Sequence, residues 1–179
     1  MNKPLKNLEI IGDCIRLRPF TELDISNIFI SWLNDKEVVK YSNQRLIRHT
    51  HNTCLDYLNN FSSTSNIYLA IENKETKELY GTMTGYVSIH HNTADIGLMV
   101  GNKKSWGLGI GCEAWALLMN YLFSYCKIRK VTGGTLRENF SMVRIMEKNG
   151  MIPDGVKIKQ ELVDGTPVDI LYFCKFAND

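Results

Sequence analysis

Alternating apolar and polar side chains predict strands along the first half of the chain. Residues 14–18, with the sequence CIRLR, have the two-residue period of a half-buried strand. Residues 67–72 and 78–89 are rich in apolar, β-branched and aromatic side chains, and the polar turn between them predicts a hairpin. The apolar run at 95–100 suits a buried strand. The three strands at 67–72, 78–89 and 95–100 are therefore expected to form an antiparallel meander.

Apolar residues at helical spacing predict helices between and after these strands. Such spacing occurs at 25–33, after residues that can cap a helix, and a further helical segment is expected at 54–58. Residues 36–41 predict a shorter helical piece. A longer helix with one apolar side is expected at 112–125, and another spans 137–150 and ends at a C-cap glycine.

Three more strands are expected in the second half of the chain. Residues 127–132 follow a connection that contains a helix and is long enough for a crossover, so this strand is predicted to run parallel to 95–100. The glycine pair at 133–134 is expected to disrupt it. Residues 155–163 and 168–176 alternate on either side of an Asp-Gly pair, which predicts a hairpin.

A glycine-rich motif lies between the strand at 95–100 and the helix at 112–125. It consists of Trp106, Gly107, Leu108, Gly109, Ile110 and Gly111. Glycines allow the backbone to adopt positive φ and to approach a ligand closely. The first N–H groups of the following helix lack partners within the helix and carry partial positive charge. The motif therefore favours binding of a phosphate or pyrophosphate.

Glycine spacing alone leaves other interpretations open. One is a tight turn that packs a helix against a sheet. A Walker loop is excluded, because no Lys-Ser or Lys-Thr pair follows the last glycine. A dinucleotide-binding oxidoreductase would need an acidic residue at the end of the next strand, but the strand at 127–132 ends in Thr-Gly-Gly. An NADH titration would test that last alternative.

The flanks of the motif favour a third interpretation. The pattern W-x-x-G-x-G-x-E-A from Trp106, preceded by Ala-Asp-Ile-Gly at 94–97, resembles the acetyl-CoA loop of the GNAT acyltransferases. Within that superfamily it is most similar to the ribosomal-protein-alanine-acetyltransferase-like branch. Asn139 followed by Glu-Lys-x-Gly at 147–150 resembles the second half of the family's cofactor site. The resemblance covers about 12–176 and implies a single domain over residues 1–179.

The resemblance implies an α/β (mixed α+β) fold, a twisted mixed sheet of six or seven strands with helices on both faces. The two central parallel strands would splay apart and admit acetyl-CoA as co-substrate. Its pantetheine arm would pair with the backbone of Leu98, Met99 and Val100, and its pyrophosphate would lie on the N–H groups of the glycine motif. Asn139 would hydrogen-bond the pantetheine. The 3′-phosphate would meet a lysine, with Lys103, Lys104 and Lys148 as candidates.

The family reaction is direct attack of an acceptor amine on the thioester, which requires a base and a proton source for the departing thiolate. Many members carry a tyrosine as the acid seven residues after the asparagine, but this chain has Met146 there. Ser141 is the nearby hydroxyl, and we expect it to position a water or the sulfur. Asp95 is the expected base. Other candidates for the base are Tyr86, His90, His91 and Glu138.

Three functions from two classes follow from this resemblance. The first is acetyl transfer to a primary amine of a small molecule, with a nucleotide-linked amino sugar as one option. The second is acetylation of a protein or peptide N-terminus. The third is a non-catalytic acyl-CoA-binding module, which the missing tyrosine keeps open. The polar residues 42–53 are either an acceptor-facing loop or a solvated connection. A homodimer is compatible with the resemblance.

Composition narrows the classes of binding partner and the cellular compartment expected for this chain. A net charge of +2 is too small to argue for nucleic acid or an anionic membrane. No apolar run is long enough to span a membrane, and residues 1–13 do not resemble a signal peptide. The five cysteines form no CxxC pair and match no zinc spacing. We therefore expect a cytoplasmic protein with reduced cysteines and no metal.

Overall fold

The computed structural model describes residues 8–177. Eight strands form one sheet: β1 (Ile10–Ile11), β2 (Ile15–Pro19), β3 (Ile67–Asn73), β4 (Leu79–Ser88), β5 (Thr93–Val100), β6 (Lys130–Leu136), β7 (Ile152–Val163) and β8 (Thr166–Phe176). The α-helices of the described chain are α1 (Asn27–Leu33), α2 (His51–Asn59), α3 (Ile110–Ser124) and α4 (Phe140–Lys148). Short 3-10 turns occur at Glu22–Asp24, Asn43–Leu46 and Lys103–Ser105.

The sheet has the strand order β1-β2-β3-β4-β5-β6-β8-β7. Its described neighbours pair antiparallel except β5 and β6, which are parallel. Parallel pairing is confined to the start of the two strands, at Thr93–Lys130, Ala94–Val131 and Asp95–Thr132. Beyond these pairs the strands separate. The predicted splaying of two central parallel strands is confirmed.

Apolar clusters on the two faces of the sheet hold the helices in place. Ile71 of β3 lies in the larger cluster with Trp115 of α3. Its neighbour Ala70 points to the opposite face and packs in a second cluster with Phe29 of α1 and Cys54 of α2. Because successive strand residues alternate between faces, one sheet supports both layers. The expected placement of helices on both faces is confirmed.

Two local elements differ from the sequence prediction. β1 adds an eighth strand to the six or seven expected, because two residues are too few to show a period. Residues 36–41 form turns in place of the expected helical piece. There the side chain of Asp35 accepts a hydrogen bond of 2.9 Å from the N–H of Glu37. Such a side-chain bond gives the backbone an alternative to the helix.

The glycine pair of β6 does not interrupt the strand, which continues to Leu136. A Cβ atom at Gly133 would lie 2.8 Å from the ring of Trp115, and one at Gly134 would lie 2.9 Å from the ring of Tyr172. The two glycines therefore allow an aromatic ring to lie against each face of the strand. The predicted disruption was wrong because the glycines serve close packing.

Candidate active site

The gap between β5 and β6, which we call the wedge, exposes peptide groups of β5. The N–H of Gly101 donates to the carbonyl of Tyr80 at 2.9 Å, which fixes the alternation of hydrogen bonds between β4 and β5. The amide and carbonyl of Met99 therefore face β4. Those of Leu98 and Val100 face the wedge, where an extended ligand with amide groups can pair with them.

The opposite wall of the wedge is the edge of β6. The N–H of Arg137 donates to the carbonyl of Asp169 at 3.0 Å, so the peptide groups of Gly134 and Leu136 face away from β8 and into the wedge. The carbonyl of Leu136 accepts the N–H of Asn139 at 3.0 Å. Backbone donors and acceptors thus line both walls of the opening.

The three glycines of the motif have different structural roles. Gly109 caps the N-terminus of α3 at φ 85°, and Gly107 has φ 77°. A Cβ atom at either position would meet nothing within 4 Å. A Cβ atom at Gly111 would instead lie 3.0 Å from Ile145 and 3.1 Å from Leu98. Gly107 and Gly109 therefore leave open space beside the backbone, whereas Gly111 allows α3 to pack closely.

The remaining residues of the motif hold the loop against the end of β5. The indole Nε1 of Trp106 donates to the carbonyl of Val100 at 2.8 Å. Ile110 is buried in the core below α3, whereas Leu108 is exposed. Trp106 therefore occupies the last carbonyl of β5 that faces the wedge, and this bond ties the glycine loop to the strand.

Asn139 caps α4 at the mouth of the wedge. Its Oδ1 accepts from the N–H of Met142 at 3.3 Å, and its Nδ2 donates to Oγ1 of the buried Thr135 at 2.9 Å. These bonds fix the amide group at the open end of β6, the strand that precedes it. Asn139 is thus the N-cap residue of α4.

The C-terminal turn of α4 lies beside the first turn of α3. The Nδ2 of Asn149 donates to the carbonyl and the Sγ of Cys112, both at 3.4 Å. Lys148 precedes Asn149, is exposed, and makes no ion pair with a residue in 8–177. Lys148 is therefore an exposed cation next in sequence to a residue that contacts the first turn of α3.

Of the other lysines proposed for a phosphate, Lys103 has acidic partners. Its Nζ lies 2.7 Å from a carboxylate oxygen of Asp35 and 2.7 Å from one of Glu37. These hydrogen bonds raise the pKa of Lys103 and lower that of Asp35. Lys104 makes no ion pair with a described residue. Lys104 and Lys148 are therefore better placed than Lys103 to meet an external anion.

Asp95 stands at the apex of the wedge, in the last pair before β5 and β6 separate. Its carboxylate accepts a hydrogen bond of 2.7 Å from Oγ1 of Thr132 on β6. Asp95 remains accessible to solvent, but the surrounding protein desolvates it, and this burial raises the pKa of its carboxyl despite the bond from Thr132. A raised pKa favours acceptance of a proton.

A cleft of about 230 Å³ opens on the side of the sheet to which Asp95 points. The residues that line it come from four regions of the chain, among them Tyr41, Asn43, Asp95, Thr135, Glu161 and Tyr172. The wedge and the cleft meet at Asp95, because the backbone of Gly134 and Leu136 borders both. A molecule in the cleft is therefore adjacent to a ligand in the wedge.

The polar loop after α1 contacts the β7–β8 hairpin across the cleft. Nδ2 of Asn43 donates to Glu161 at 3.1 Å, and Arg45 donates to the carbonyl of Leu162 at 3.1 Å. Further along the loop, His49 is buried, with its Nε2 3.2 Å from the carbonyl of Gln44. The beginning of the 42–53 segment thus borders the cleft, whereas His49 has a structural role.

Ser141 and Met146 lie outside the cleft. Ser141 is exposed on the first turn of α4. Met146 is fully buried and packs in the core with Trp115. Neither side chain borders the cleft, and a role for Ser141 in the reaction stays a prediction.

Tyr86 is the neighbour of Asp95 on β4, but its hydroxyl already has a partner. The hydroxyls of Tyr86 and Tyr57 lie 2.8 Å apart. Burial and this hydrogen bond raise the pKa of Tyr57 well above its ordinary value. Tyr57 therefore keeps its proton at physiological pH, and its bond to Tyr86 makes the pair better suited to a structural role than to proton transfer.

Sequence reasoning missed the contributions of Tyr41, Glu161 and Tyr172 to the cleft, whereas Asn43 belongs to the 42–53 segment that was a candidate acceptor-facing loop. These side chains come from a loop and from the final hairpin, and only the fold brings them to Asp95. The available signal was the ending of the chain, where the hairpin with Asp169 and Tyr172 resembles the same acetyltransferase branch.

Residues 8–177 contain neither a cluster of metal ligands nor a membrane-spanning helix. No group of three or more His, Cys, Asp or Glu within residues 8–177 could hold a metal ion. None of the five cysteines, which all lie within the described residues, forms a disulfide bond. In the same residues, no helix has the length and apolar character required to cross a membrane.

The wedge, the glycine loop and the parallel strand pair define an acyltransferase of the GNAT type. Residues 15–152 match the family model described as an acetyltransferase (GNAT) domain. The chain therefore belongs to the GNAT acetyltransferase family and is an acetyl-CoA-dependent N-acetyltransferase. The predicted family and enzyme class are confirmed.

Known proteins similar to this chain are acetyltransferases. An uncharacterised N-acetyltransferase, YoaA of Bacillus subtilis (strain 168), is 27% identical over 162 residues, which cover 88% of this chain and 90% of the relative. RimL, a ribosomal L7/L12 alpha-N-protein acetyltransferase solved with coenzyme A, superimposes with a TM-score of 0.84 at 13% sequence identity. The match covers 94% of this chain and 98% of the RimL chain. Spermidine N-acetyltransferase of Vibrio cholerae, solved with CoA and spermine, superimposes with a TM-score of 0.82 at 15% sequence identity. That match covers 92% of this chain and 96% of the spermidine N-acetyltransferase chain.

Proposed function

We propose that this chain transfers the acetyl group of acetyl-CoA, held in the wedge, to a primary amine of a small molecule bound in the cleft. The observation that carries the proposal is the position of Asp95. This carboxylate stands where the wedge and the cleft meet, makes no ion pair with a described residue, and has a raised pKa. Those properties suit the base that prepares an amine for attack.

The wedge and the glycine loop fit acetyl-CoA. The two amides of the pantetheine arm can pair with the peptide groups of Leu98 and with the N–H of Val100, whose carbonyl accepts from Trp106. Met99 only continues the strand between them. The pyrophosphate would accept N–H groups of residues 106–111, where the open space beside Gly107 and Gly109 supports a close approach. The start of α3 favours negative charge there.

Two further residues would complete the cofactor site. Asn139 stands at the mouth of the wedge, where its amide can exchange its bond with Thr135 for one to the pantetheine. Lys148, exposed beside the first turn of α3, would attract the 3′-phosphate. The cationic side chain and the helix N-terminus act on the same polyanion, and both attractions weaken with added salt.

The reaction needs the lone pair of an uncharged amine. Asp95 accepts a proton from the incoming nitrogen, and that nitrogen attacks the thioester carbonyl carbon. A backbone N–H of β5 that faces the wedge can donate to the developing oxyanion. The C–S bond then breaks and its electron pair stays on sulfur. Adjacency of the two binding spaces supplies the proximity that direct transfer requires.

The lining of the cleft favours a small polar acceptor. Hydroxyl and amide groups from Tyr41, Asn43 and Tyr172 can hydrogen-bond to an acceptor, and carboxylates of Asp95 and Glu161 favour a cation. Glu161 is already partnered by Asn43 and by Arg45, at 3.1 and 3.5 Å respectively, so Asp95 is the carboxylate available to an ammonium group. An amino sugar, free or linked to a nucleotide, has this combination of groups.

The experiment is a comparison of acceptors with the purified chain and acetyl-CoA, in which release of the CoA thiol is measured. The panel contains free and nucleotide-linked amino sugars, polyamines, and peptides with free N-termini, the last because RimL shares this fold. Turnover of small amines with little turnover of peptides supports the proposal. Turnover of peptides alone would make the chain a protein N-acetyltransferase, and binding without any turnover would favour an acyl-CoA-binding module.

Asp95→Asn tests the residue that carries the proposal. We expect kcat to fall by about 10²-fold or more, because the variant lacks the base, while the Kd for acetyl-CoA changes little. Asp13→Asn, an identical change at an exposed carboxylate of the β1–β2 turn, is the matched control and should retain full activity. An unchanged kcat for Asp95→Asn at neutral pH would assign the base to another group.

A further inference from the structure

Tyr172 occupies an unusual position beside the reacting centre. It is paired with Gly134 across β8 and β6, and its side chain is on the cleft face of the sheet. A Cβ atom at Gly134 would lie 2.9 Å from Cε1, 3.1 Å from Cδ1 and 3.4 Å from Cζ of the tyrosine ring. The ring therefore lies across the glycine, and any larger residue at position 134 would displace it.

The absence of a side chain at Gly134 lets Tyr172 extend from β8 over β6. The strand β6 forms one wall of the wedge, and its Gly134 has peptide groups that face the opening. A ring that crosses this glycine carries its hydroxyl, attached to Cζ, into the cleft that Asp95 also lines. The fold thus brings a phenol and a carboxylate to one cleft at the apex of the wedge.

The hydroxyl of Tyr172 makes no hydrogen bond with any residue in 8–177, although Lys157 lies over its ring, with Nζ 5.1 Å from the centroid. Tyr57 and Tyr86, in contrast, bond to each other. Tyr172 is half-buried. Its packing on Gly134 fixes the ring, and its hydroxyl stays free to donate to a ligand. A fixed donor without an internal partner is suited to act on a bound substrate.

We infer that Tyr172 is the proton donor to the departing thiolate of CoA. The reaction requires such a donor, and the side chain seven residues after Asn139, Met146, is a buried thioether without a proton to give. The inference rests on the proposed placement of acetyl-CoA in the wedge. Tyr172 would supply from β8 the proton that α4 does not.

The acceptor ammonium first passes one proton through Asp95 to bulk water, so that it becomes an uncharged amine and Asp95 is again a carboxylate. The amine nitrogen then forms its bond to the thioester carbon and gives its second proton to Asp95. When the C–S bond breaks, its electron pair stays on sulfur, and the Oη–H of Tyr172 gives its proton to that sulfur to yield the free thiol of CoA. The tyrosinate then recovers a proton from Asp95 through water, so that both side chains return to their starting states and no net proton remains on the enzyme.

Tyr172→Phe tests the inference, because it removes only the hydroxyl and keeps the ring on Gly134. With an acceptor that the wild-type chain acetylates, we expect kcat to fall by about 10²-fold while the KM for acetyl-CoA stays within about twofold. If the phenol is the acid, the wild-type kcat must also fall at high pH as Tyr172 loses its proton. That alkaline limb should be missing in the variant, a change that a purely structural role would not cause.

Two other tyrosine variants complete the experiment. Tyr125→Phe removes a hydroxyl from an exposed tyrosine at the C-terminal end of α3 and should leave kcat unchanged. Tyr41→Phe removes the other tyrosine hydroxyl of the cleft. A wild-type kcat in Tyr172→Phe, or an alkaline limb that Tyr41→Phe abolishes and Tyr172→Phe retains, would overturn the inference. Lack of turnover by the wild-type chain would instead count against the proposed function itself.

Discussion

At the scale of single residues, Asp95 combines two requirements that conflict in a folded protein. It is ionisable, and it stands in a cleft where burial raises the pKa of its carboxyl. A base with a raised pKa holds a proton more readily, but its ionised form is less stable in the native state than in the unfolded chain. The function proposed for Asp95 therefore has a cost in stability.

This cost predicts that Asp95→Asn melts at a higher temperature than the wild type at pH 7. Because the native pKa is raised, stability is lost as pH increases from the unfolded pKa of Asp, about 3.9, through the native value. The amide has no charge to desolvate and can still accept from Thr132. We expect a rise of about 2 °C in Tm, measured by thermal unfolding followed by circular dichroism.

The pH dependence of the effect identifies its cause. Near pH 3.5 the wild-type carboxyl is protonated in both states, so the two melting temperatures should converge. Asp13→Asn, at an exposed position, should show no such pattern. A lower Tm for Asp95→Asn at pH 7, or a gain that persists at pH 3.5, would show that desolvation of Asp95 does not weaken the fold.

At the scale of elements, the loop from β5 to α3 is built on glycines that the sequence presents as equivalent. Gly107 and Gly109 have left-handed φ and face open space, whereas Gly111 is in contact distance of Ile145 and Leu98. Valine at 111 would force α3 away from β5 and α4. Only the first two positions can therefore test ligand binding without collision in the core.

Gly109→Val should raise the KM for acetyl-CoA by about tenfold or more, because a branched side chain would enter the space proposed for the pyrophosphate. Each 1.4 kcal/mol of lost binding energy corresponds to a factor of ten. The variant also places a side chain at φ 85°, which costs about 1–2 kcal/mol of stability. Steady-state kinetics and calorimetric titration with acetyl-CoA measure the effect.

Gly165→Val is the control, since Gly165 has φ 78° and equally open surroundings but lies in the β7–β8 turn. It should lose similar stability and keep the wild-type KM. If both variants raise the KM alike, backbone strain explains the effect and the loop assignment loses its support. An unchanged KM in folded Gly109→Val would also remove the support for the loop assignment.

The same elements show what periodicity can and cannot predict. Alternation and helical spacing located the meander, the parallel strand and the helices, because each pattern is local. The glycine pair of β6 was misjudged, since its meaning depends on rings from distant elements, Trp115 and Tyr172. The residues proposed for the cofactor side lie in contiguous sequence around 95–111, so the sequence alone could propose them. The acceptor side could not, because Tyr41, Glu161 and other cleft residues meet only in the folded sheet.

At the scale of the whole molecule, a group of charges fixes the half of the sheet that carries α1. Glu72 of β3, with a side chain only 4% exposed, accepts hydrogen bonds from Arg16 and Arg18 of β2. Arg18 also forms a bidentate pair with Asp24, at 2.7 and 2.8 Å. Burial opposes ionisation of Glu72, but the bonds from both arginines outweigh it and lower its pKa.

Glu72→Gln should destabilise the chain by about 3 kcal/mol at pH 7, because it leaves two partly buried guanidinium groups without their shared carboxylate. A lowered native pKa means that this contribution is complete above the unfolded pKa of Glu, about 4.3, and is lost as pH falls through the native value. Urea unfolding at pH 7 and at steps below pH 4 should therefore show the wild type approaching the variant in acid.

Glu75→Gln, in the exposed turn after β3, should match the wild type throughout. Equal stability of Glu72→Gln and wild type at pH 7 would mean that apolar packing alone holds β2 to β3, and a difference that persists undiminished in acid would remove the linkage to ionisation of Glu72.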